Sequence, residues 1–311
     1  MSRRAPAPKR CPDSDSDPDS DPQPCRHAAT VPTEGEATPR MRLSRTARNL
    51  LRTAAALGIA VIYLPLLLVL VNSLNPDRAF GWPPSGITGR WWADAWHSAG
   101  ARSALWVSVR AGLGATAVAL VLGTLVAFAV QRYAFFGRQT LSFVVVLPIA
   151  LPGVVTGIAL NSAFRSVLPP LGLGFGLLTV IIAHATFCVV VVFNNVVARL
   201  RRVSGSYEEA AMDLGAGPLQ TFRDVTWPLV RSAVLAGGLL AFALSFDEIV
   251  VTTFTAGAGV QTLPVWIFGN LARPQQAPVV NVVAAVLVLL SVIPVYGAQR
   301  LSGDTATGGR T

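Results

Sequence analysis

The chain has 311 residues, 52% hydrophobic and 13% charged, with a formal net charge of +9 and a mean hydropathy of +0.53. A soluble chain carries about 25% charged residues, so this one lacks the polar material to coat a globule in water and belongs in a membrane. Its basic excess reads as arginine in cytoplasmic loops, not as nucleic-acid binding, and its single lysine, Lys9, excludes a phosphate-loop or Schiff-base lysine from the folded part.

The first fifty residues stand apart. In CPDSDSDPDSDPQPC, Asp13, Asp15, Asp17, Asp19 and Asp21 alternate with Ser and Pro. Such a segment buries too little apolar surface to offset its chain entropy, so residues 1–50 are expected to form a disordered, low-complexity cytoplasmic tail. It lacks the basic stretch joined to a short apolar one that marks a cleavable signal, so the first span is expected to be retained. Cys11 and Cys25 fall in this tail, Cys188 in an apolar run, and His27, His97 and His184 are scattered. Neither a disulfide framework nor a metal site is expected from that distribution.

From Thr53 onward, apolar runs recur at the length of about 20 residues that a helix needs to cross hydrocarbon. They cover 53–74, 111–130, 141–164, 177–197, 229–255 and 279–296. The fold class is therefore all-α, a polytopic membrane protein with six transmembrane helices over residues 51–301 and a short cytoplasmic tail at 302–311. Pro65, Pro148, Pro152 and Pro294 lie inside these runs, as membrane helices tolerate. The runs are continuous rather than alternating, which disfavours membrane strands. Arginines beside the spans cluster on one side, in the groups Arg40 to Arg52, Arg132 with Arg138, and Arg199 to Arg231. The positive-inside rule then places both termini in the cytoplasm. The long outer connection, 75–101, holds Trp82, Trp91, Trp92 and Trp96, suited to the membrane interface.

The cytoplasmic connection SYEEAAMDLGAGPLQTFRDVTWP (206–228) is patterned like helix, not loop. Ser206 is placed to cap a helix whose first turn carries Glu208 and Glu209, the favourable sign for the positive end of the helix dipole. Tyr207, Ala211 and Leu214 form an apolar stripe, Gly215 and Gly217 stop that helix, and Pro218 opens another with Leu219, Phe222 and Val225 on one face. Two short amphipathic helices are expected at the cytoplasmic surface. Periodicity alone fits equally a helix pair packed under its own bundle.

Glu209-Ala210-Ala211, three residues, Gly215, nine residues, Val225, one residue, Trp227 and Pro228 resemble the EAA-X3-G-X9-I-X-L-P signature of the permease subunits of bacterial ABC importers. Val225 stands where Ile is usual and Trp227 where Leu is usual. The resemblance implies that Glu208, Glu209, Ala210, Ala211, Leu214 and Gly215 form the ATPase-docking surface. LPGVVTGIAL (151–160), HATFCVVVVFNN (184–195), LAFALSFDEIVVTTFTAG (240–257) and TLPVWIFGNLARP (262–274) are similar to the spermidine/putrescine, PotC-type branch, although Gly153 stands where many relatives carry an acid. The resemblance implies partners: two copies of an ATPase subunit, a second homologous permease, and a periplasmic or extracellular substrate-binding protein, in the lipid bilayer of a bacterial inner membrane. It further implies that ATP and Mg are used by the partner ATPase, with no catalytic site or cofactor on this chain.

Asp247 and Glu248 are the two acids inside a predicted span. Intramembrane acids are functional candidates by default, and these are expected to line the substrate path. Asp247 lies about 27 Å along its span at 1.5 Å per residue, so an acid merely reaching water at the outer interface is the plainer alternative. Polar His184, Asn161, Asn194, Asn195 and Asn281 read as interhelical hydrogen bonding, and Gly237-Gly238 as close helix packing. The expected function is polyamine import. The alternatives are another cargo of the same family (thiamine, ferric iron, organophosphonate), an ATP-independent secondary carrier, and a structural membrane protein.

Overall fold

A computed structural model describes residues 44–78 and 83–290. Most of the expected N-terminal tail, Trp82, Pro294, the end of the sixth predicted span and the tail at 302–311 lie outside those residues. The chain divides into two units, 1–57 and 58–311. The described part of the first is the opening of helix α1 (Arg45–Asn72), where Ser44 Oγ accepts from Ala47 N–H at 3.1 Å. That cap starts the helix at Arg45, ahead of the predicted Thr53, because capping satisfies an otherwise orphaned donor whatever the local hydropathy.

The second unit continues with α2 (Arg90–His97), α3 (Ala99–Arg132), α4 (Arg138–Ala150), α5 (Gly153–Val167) and α6 (Leu177–Leu200). Then come α7 (Ser206–Asp213), α8 (Pro218–Thr221), a π turn (Phe222–Thr226), α9 (Trp227–Phe246), α10 (Val250–Thr255), α11 (Leu263–Leu271) and α12 (Ala277–Leu290). Among the described residues there is no strand. α1, α3, α6 and the continuous run Pro218–Phe246 are long and apolar enough to cross a membrane. The α4–α5 pair is apolar enough together for a broken span or a re-entrant loop, and α12 occupies the described part of the predicted sixth span.

Three predicted boundaries are corrected. The second span begins at Ala99 rather than Ala111, since Ser98 Oγ accepts from Ala101 N–H and the helix carries Arg102 and Arg110 along with it. The third predicted span, 141–164, is not one helix but two, crossing at 108°. Pro152 clashes with a helical residue before it, and Leu151 accordingly sits extended at φ −87°, ψ 146°. The fifth, 229–255, breaks at Asp247–Ile249.

The core is built by approach, not by bulk. On α3, Ala111, Ala115, Ala119, Gly123 and Ala127 recur every fourth residue and are buried, one face of the helix. α6 and α9 close on it. A Cβ at Gly237 would lie 3.1 Å from Val192 Cα and one at Gly238 3.1 Å from Leu120 Cδ2, so the glycine pair packs α9 against α6 and α3 as expected. Cys188 Sγ donates to Ala241 O at 3.3 Å across the α6–α9 contact. Leu113, Leu125, Leu235 and Leu239 remain exposed, as lipid-facing side chains do, because hydrocarbon is their solvent.

Toward the start of α3 a second cluster joins Trp91, Ala101, Ala104, Leu263, Trp266 and Val280. Trp91 is buried there and donates to Asn75 O at 2.9 Å. It packs inside the protein, whereas Trp96 is exposed.

Candidate functional site

Helix α7 starts after Gly205, so Ser206 is its first residue and not its cap. Ser204 Oγ instead accepts from Ser206 N–H. Its end is set by Gly215 at φ +88°, left-handed backbone that glycine adopts without penalty. Ala216 N–H reaches Ala211 O at 3.1 Å and Gly215 N–H reaches Met212 O at 2.9 Å. That pair of bonds is the Schellman arrangement closing a helix C-terminus. The turn leaves Leu214 90% exposed and Tyr207 60% exposed, with Glu209 and Ala210 exposed beside them. Ala211, Leu214, Gly215, Gln220 and Asp224 line an open cleft of about 320 Å³. A short helix with its apolar side chains in solvent and a small-residue surface beside them is a shape for docking against another chain.

Glu208 does not share that face. Its carboxylate lies 3.2 Å from Arg132 Nη2 at the end of α3 and accepts from Thr226 Oγ1 at 2.9 Å. Of the six residues expected to dock, this one is turned inward.

The second expected amphipathic helix is corrected as well. α8 does not end but runs through the π turn into α9 as a single membrane-length segment. Pro228 has no N–H to continue the ladder, and the chain widens so that Trp227 N–H reaches Phe222 O. Phe222 packs edge-on to Phe128 at 5.7 Å, tying the turn to α3. Arg199 Nε donates to Leu229 O at 2.8 Å, so an arginine that reads in sequence as a topology signal also binds α6 to the start of α9.

The acids lie at the other end of α9, which at 1.5 Å per residue is about 30 Å away over its 20 residues. Asp247 is exposed and Glu248 half-buried. Glu248 Oε1 accepts from Val251 N–H at 2.8 Å, closing the N-terminus of α10 with the sign of charge that end favours. Thr252 Oγ1 donates to Glu248 O at 2.9 Å and lies 2.8 Å from His184 Nε2, while His184 Nδ1 lies 2.7 Å from Ser245 Oγ. The proton count orders this cluster. Thr252 has given its hydroxyl proton to Glu248 O, so it accepts from His184 Nε2–H, and the neutral ring then accepts from Ser245 at Nδ1. His184 is fully buried and therefore staples both sides of the break, the last turn of α9 and the first of α10, to α6. Asn161 on α5 donates to Phe254 O and Thr179 on α6 to Thr255 O, fixing the far end of α10.

Of the polar residues expected to bridge helices, His184 and Asn161 do so, whereas Asn195 donates to Val191 O of its own helix. Ser245 and Thr252 went unnoticed in sequence because a hydroxyl in an apolar run is unremarkable there, and Arg132 was read only as a topology signal. Among the described residues no three His, Cys, Asp or Glu side chains cluster as metal ligands would.

Residues 119–304 match the family described as "binding-protein-dependent transport system inner membrane component". The putrescine transport system permease protein PotI of Escherichia coli K12 is 34% identical over 235 residues, 74% of this chain and 83% of the relative. The spermidine/putrescine transport system permease protein PotC of Haemophilus influenzae is 31% identical over 243 residues, 78% and 92% respectively. In fold, the chain is similar to a crystal structure of a bacterial ABC transporter involved in the import of the acidic polysaccharide alginate, with a TM-score of 0.62, 20% identity, and coverage of 83% of this chain and 98% of that one.

Proposed function

This chain belongs to the family of binding-protein-dependent transport system inner membrane components, and from that premise we propose that it is the permease subunit of an ATP-driven importer whose cargo is a polyamine. As a multi-pass membrane protein of this family it is a transport subunit, and a family of ABC permeases leaves no place for an ATP-independent carrier. The observation carrying the reading of its mechanism is α7 with its Gly215 turn. Exposed Glu209, Ala210, Leu214 and Gly215 meet an ATPase subunit, Ala through close approach and Glu209 through a charged hydrogen bond. Two such ATPases, a second permease and an external binding protein complete the complex. ATP is hydrolysed on the ATPases, and α7 lies on the cytoplasmic side with both termini.

The cargo reading is supported by the chemistry of the span-five break and by the relatives named for putrescine and spermidine. A polyamine is a multiply protonated amine at pH 7, and its passage is eased by carboxylates that replace lost hydration. Asp247 is open at the break, and Glu248 offers its remaining lone pairs beside it. The double variant Asp247→Asn with Glu248→Gln keeps the hydrogen bond of the Glu248 cap, since a glutamine oxygen still accepts from Val251 N–H, while removing both charges. A hydrogen bond to a charged group is worth about 1.5–3 kcal/mol, so radiolabelled putrescine uptake into proteoliposomes bearing the full complex is expected to fall about ten-fold or more with the ATPase still attached. An unchanged rate makes both acids structural. Failure of a putrescine-loaded binding protein to stimulate ATP hydrolysis in the unmutated complex removes the cargo class.

A further inference from the structure

We propose that Arg132 is a positioning residue for transport: by holding Glu208, it makes docking helix α7, the inner end of α3 and the root of α9 move as one body. This rests on the docking reading of α7. None of the six residues expected to dock, nor any topology argument, assigns it.

Three observations carry it. First, α7 has eight residues and none of them is buried. A helix that short has no stability or fixed attitude of its own in water, so side-chain tethers decide how rigidly it is joined to the bundle. Second, one carboxylate supplies the tether. Glu208 Oε1 meets Arg132 Nη2 at 3.2 Å and Thr226 Oγ1 at 2.9 Å, so α7, α3 and the π turn converge on one oxygen. The paired side chains are only 18% and 17% exposed. Water and salt compete weakly at that depth, and removal of one partner leaves a largely buried charge unpaired. Arg132 Nε and Nη2 are buried with no hydrogen-bond partner among the described residues, so the guanidinium is held to Glu208 by charge at 3.2 Å and not by a hydrogen bond.

Third, both helices rooted at that oxygen lead to the outer half of the protein. α3 is 34 residues long, about 50 Å at 1.5 Å per residue, and toward its far end Ser108 Oγ accepts from Leu263 N–H of the α11 segment at 2.8 Å. α9 leads to the Asp247–Ile249 break and the His184 staple. A displacement of α7 is thus delivered to two rods at once. Without the ion pair, α7 keeps the Thr226 hydrogen bond and the chain from Leu214 to Thr226 as routes to α9, but loses its charged tether to α3.

The test uses the complete importer in phosphatidylethanolamine/phosphatidylglycerol nanodiscs and proteoliposomes, with a putrescine-loaded binding protein as the stimulus. The variants are Glu208→Gln, Arg132→Gln, and the exchange Arg132→Glu with Glu208→Arg. Three quantities are read: ATPase co-purified per permease, stimulated ATP hydrolysis, and putrescine taken up per ATP consumed. Mutations along a coupling route change it by factors near ten. Each neutral variant is therefore expected to retain the ATPase at wild-type stoichiometry and to lose about ten-fold in putrescine per ATP, with the exchange recovering most of that loss. Wild-type uptake per ATP in the neutral variants overturns the proposal. So does a loss of uptake that merely tracks loss of bound ATPase and is not recovered by the exchange, because the pair then only shapes the docking surface. Ala210→Arg, on the outer face of α7, tests docking separately: an ATPase that still binds and couples to that variant overturns the docking reading itself.

Discussion

Gly215→Val is expected to reduce ATP-driven uptake about ten-fold or more while the protein inserts and accumulates normally. Gly215 sits at φ +88°, and a Cβ built there meets no atom within 4 Å, so the substitution is opposed by backbone conformation and not by crowding. Left-handed backbone costs an L-residue about 1–2 kcal/mol, more for a β-branched side chain held in one rotamer. That is enough to shift the turn and swing Leu214 and the end of α7 away from a docking partner, while the membrane core, which Gly215 does not touch, is unaffected. Gly215→Asn supplies the control, because asparagine enters the left-handed region more readily than other non-glycine residues. It is expected to keep most transport although it too adds a side chain. Membrane level by immunoblot, ATPase co-purification and putrescine uptake decide the matter. Valine at wild-type uptake would falsify the role of the turn. Equal loss in both variants would assign Gly215 to close approach of the partner instead.

The second large effect is expected at the break in the fifth span. His184→Leu removes a donor and an acceptor from a fully buried site, leaving Ser245 Oγ and one lone pair of Thr252 Oγ1 without their partners. An orphaned buried polar group costs about 1–3 kcal/mol. The variant is therefore expected to lose roughly 2–3 kcal/mol of stability by the same reckoning, seen as a lowered thermal midpoint in detergent and faster proteolysis between Phe246 and Val250. The informative companion is the triple variant His184→Leu, Ser245→Ala, Thr252→Val. Replacing all the partners of a buried hydrogen-bond set by apolar groups is close to neutral, so most of the lost stability should return, apart from the bond from Thr252 to Glu248 O. If the single variant melts with the wild type, the staple is idle. If the triple variant is worse than the single, His184 is held by packing rather than by its two hydroxyl partners.

Reading direction from sequence proved harder than reading class. Glu208 lies just before the motif and Glu209 opens it, and both were expected to dock, yet one turns in to Arg132 and the other faces solvent, because neighbours on a helix differ by about 100° and only the position of the bundle says which side is inner. Arg132 and Arg199 counted toward topology, which depends on charge near a span end. Their packing roles depend on which helix end lies within reach. The hydroxyls of Ser245 and Thr252 are silent in hydropathy, and their meaning comes from an imidazole 61 and 68 residues away.

What the sequence by itself determined is what depends on composition and short-range pattern. A charge content of 13% places the chain in a membrane, and the spacing from Glu209 to Pro228 marks the family. Gly215 marks a left-handed turn and Gly237-Gly238 a close helix contact, since both needs are met by the glycine residue itself. Only the tertiary structure decided where apolar runs stop being straight helices. Hydropathy sums over a window and carries no direction, so runs 141–164 and 229–255 read as single spans. Pro152 in one and the break at Asp247–Ile249 in the other turn the chain at points fixed by partners on other helices, Phe254 O for Asn161 and the two hydroxyls for His184. In a medium without water every polar group freed at a break must find such a partner, and that partner is a property of the packed bundle, not of the segment that bends.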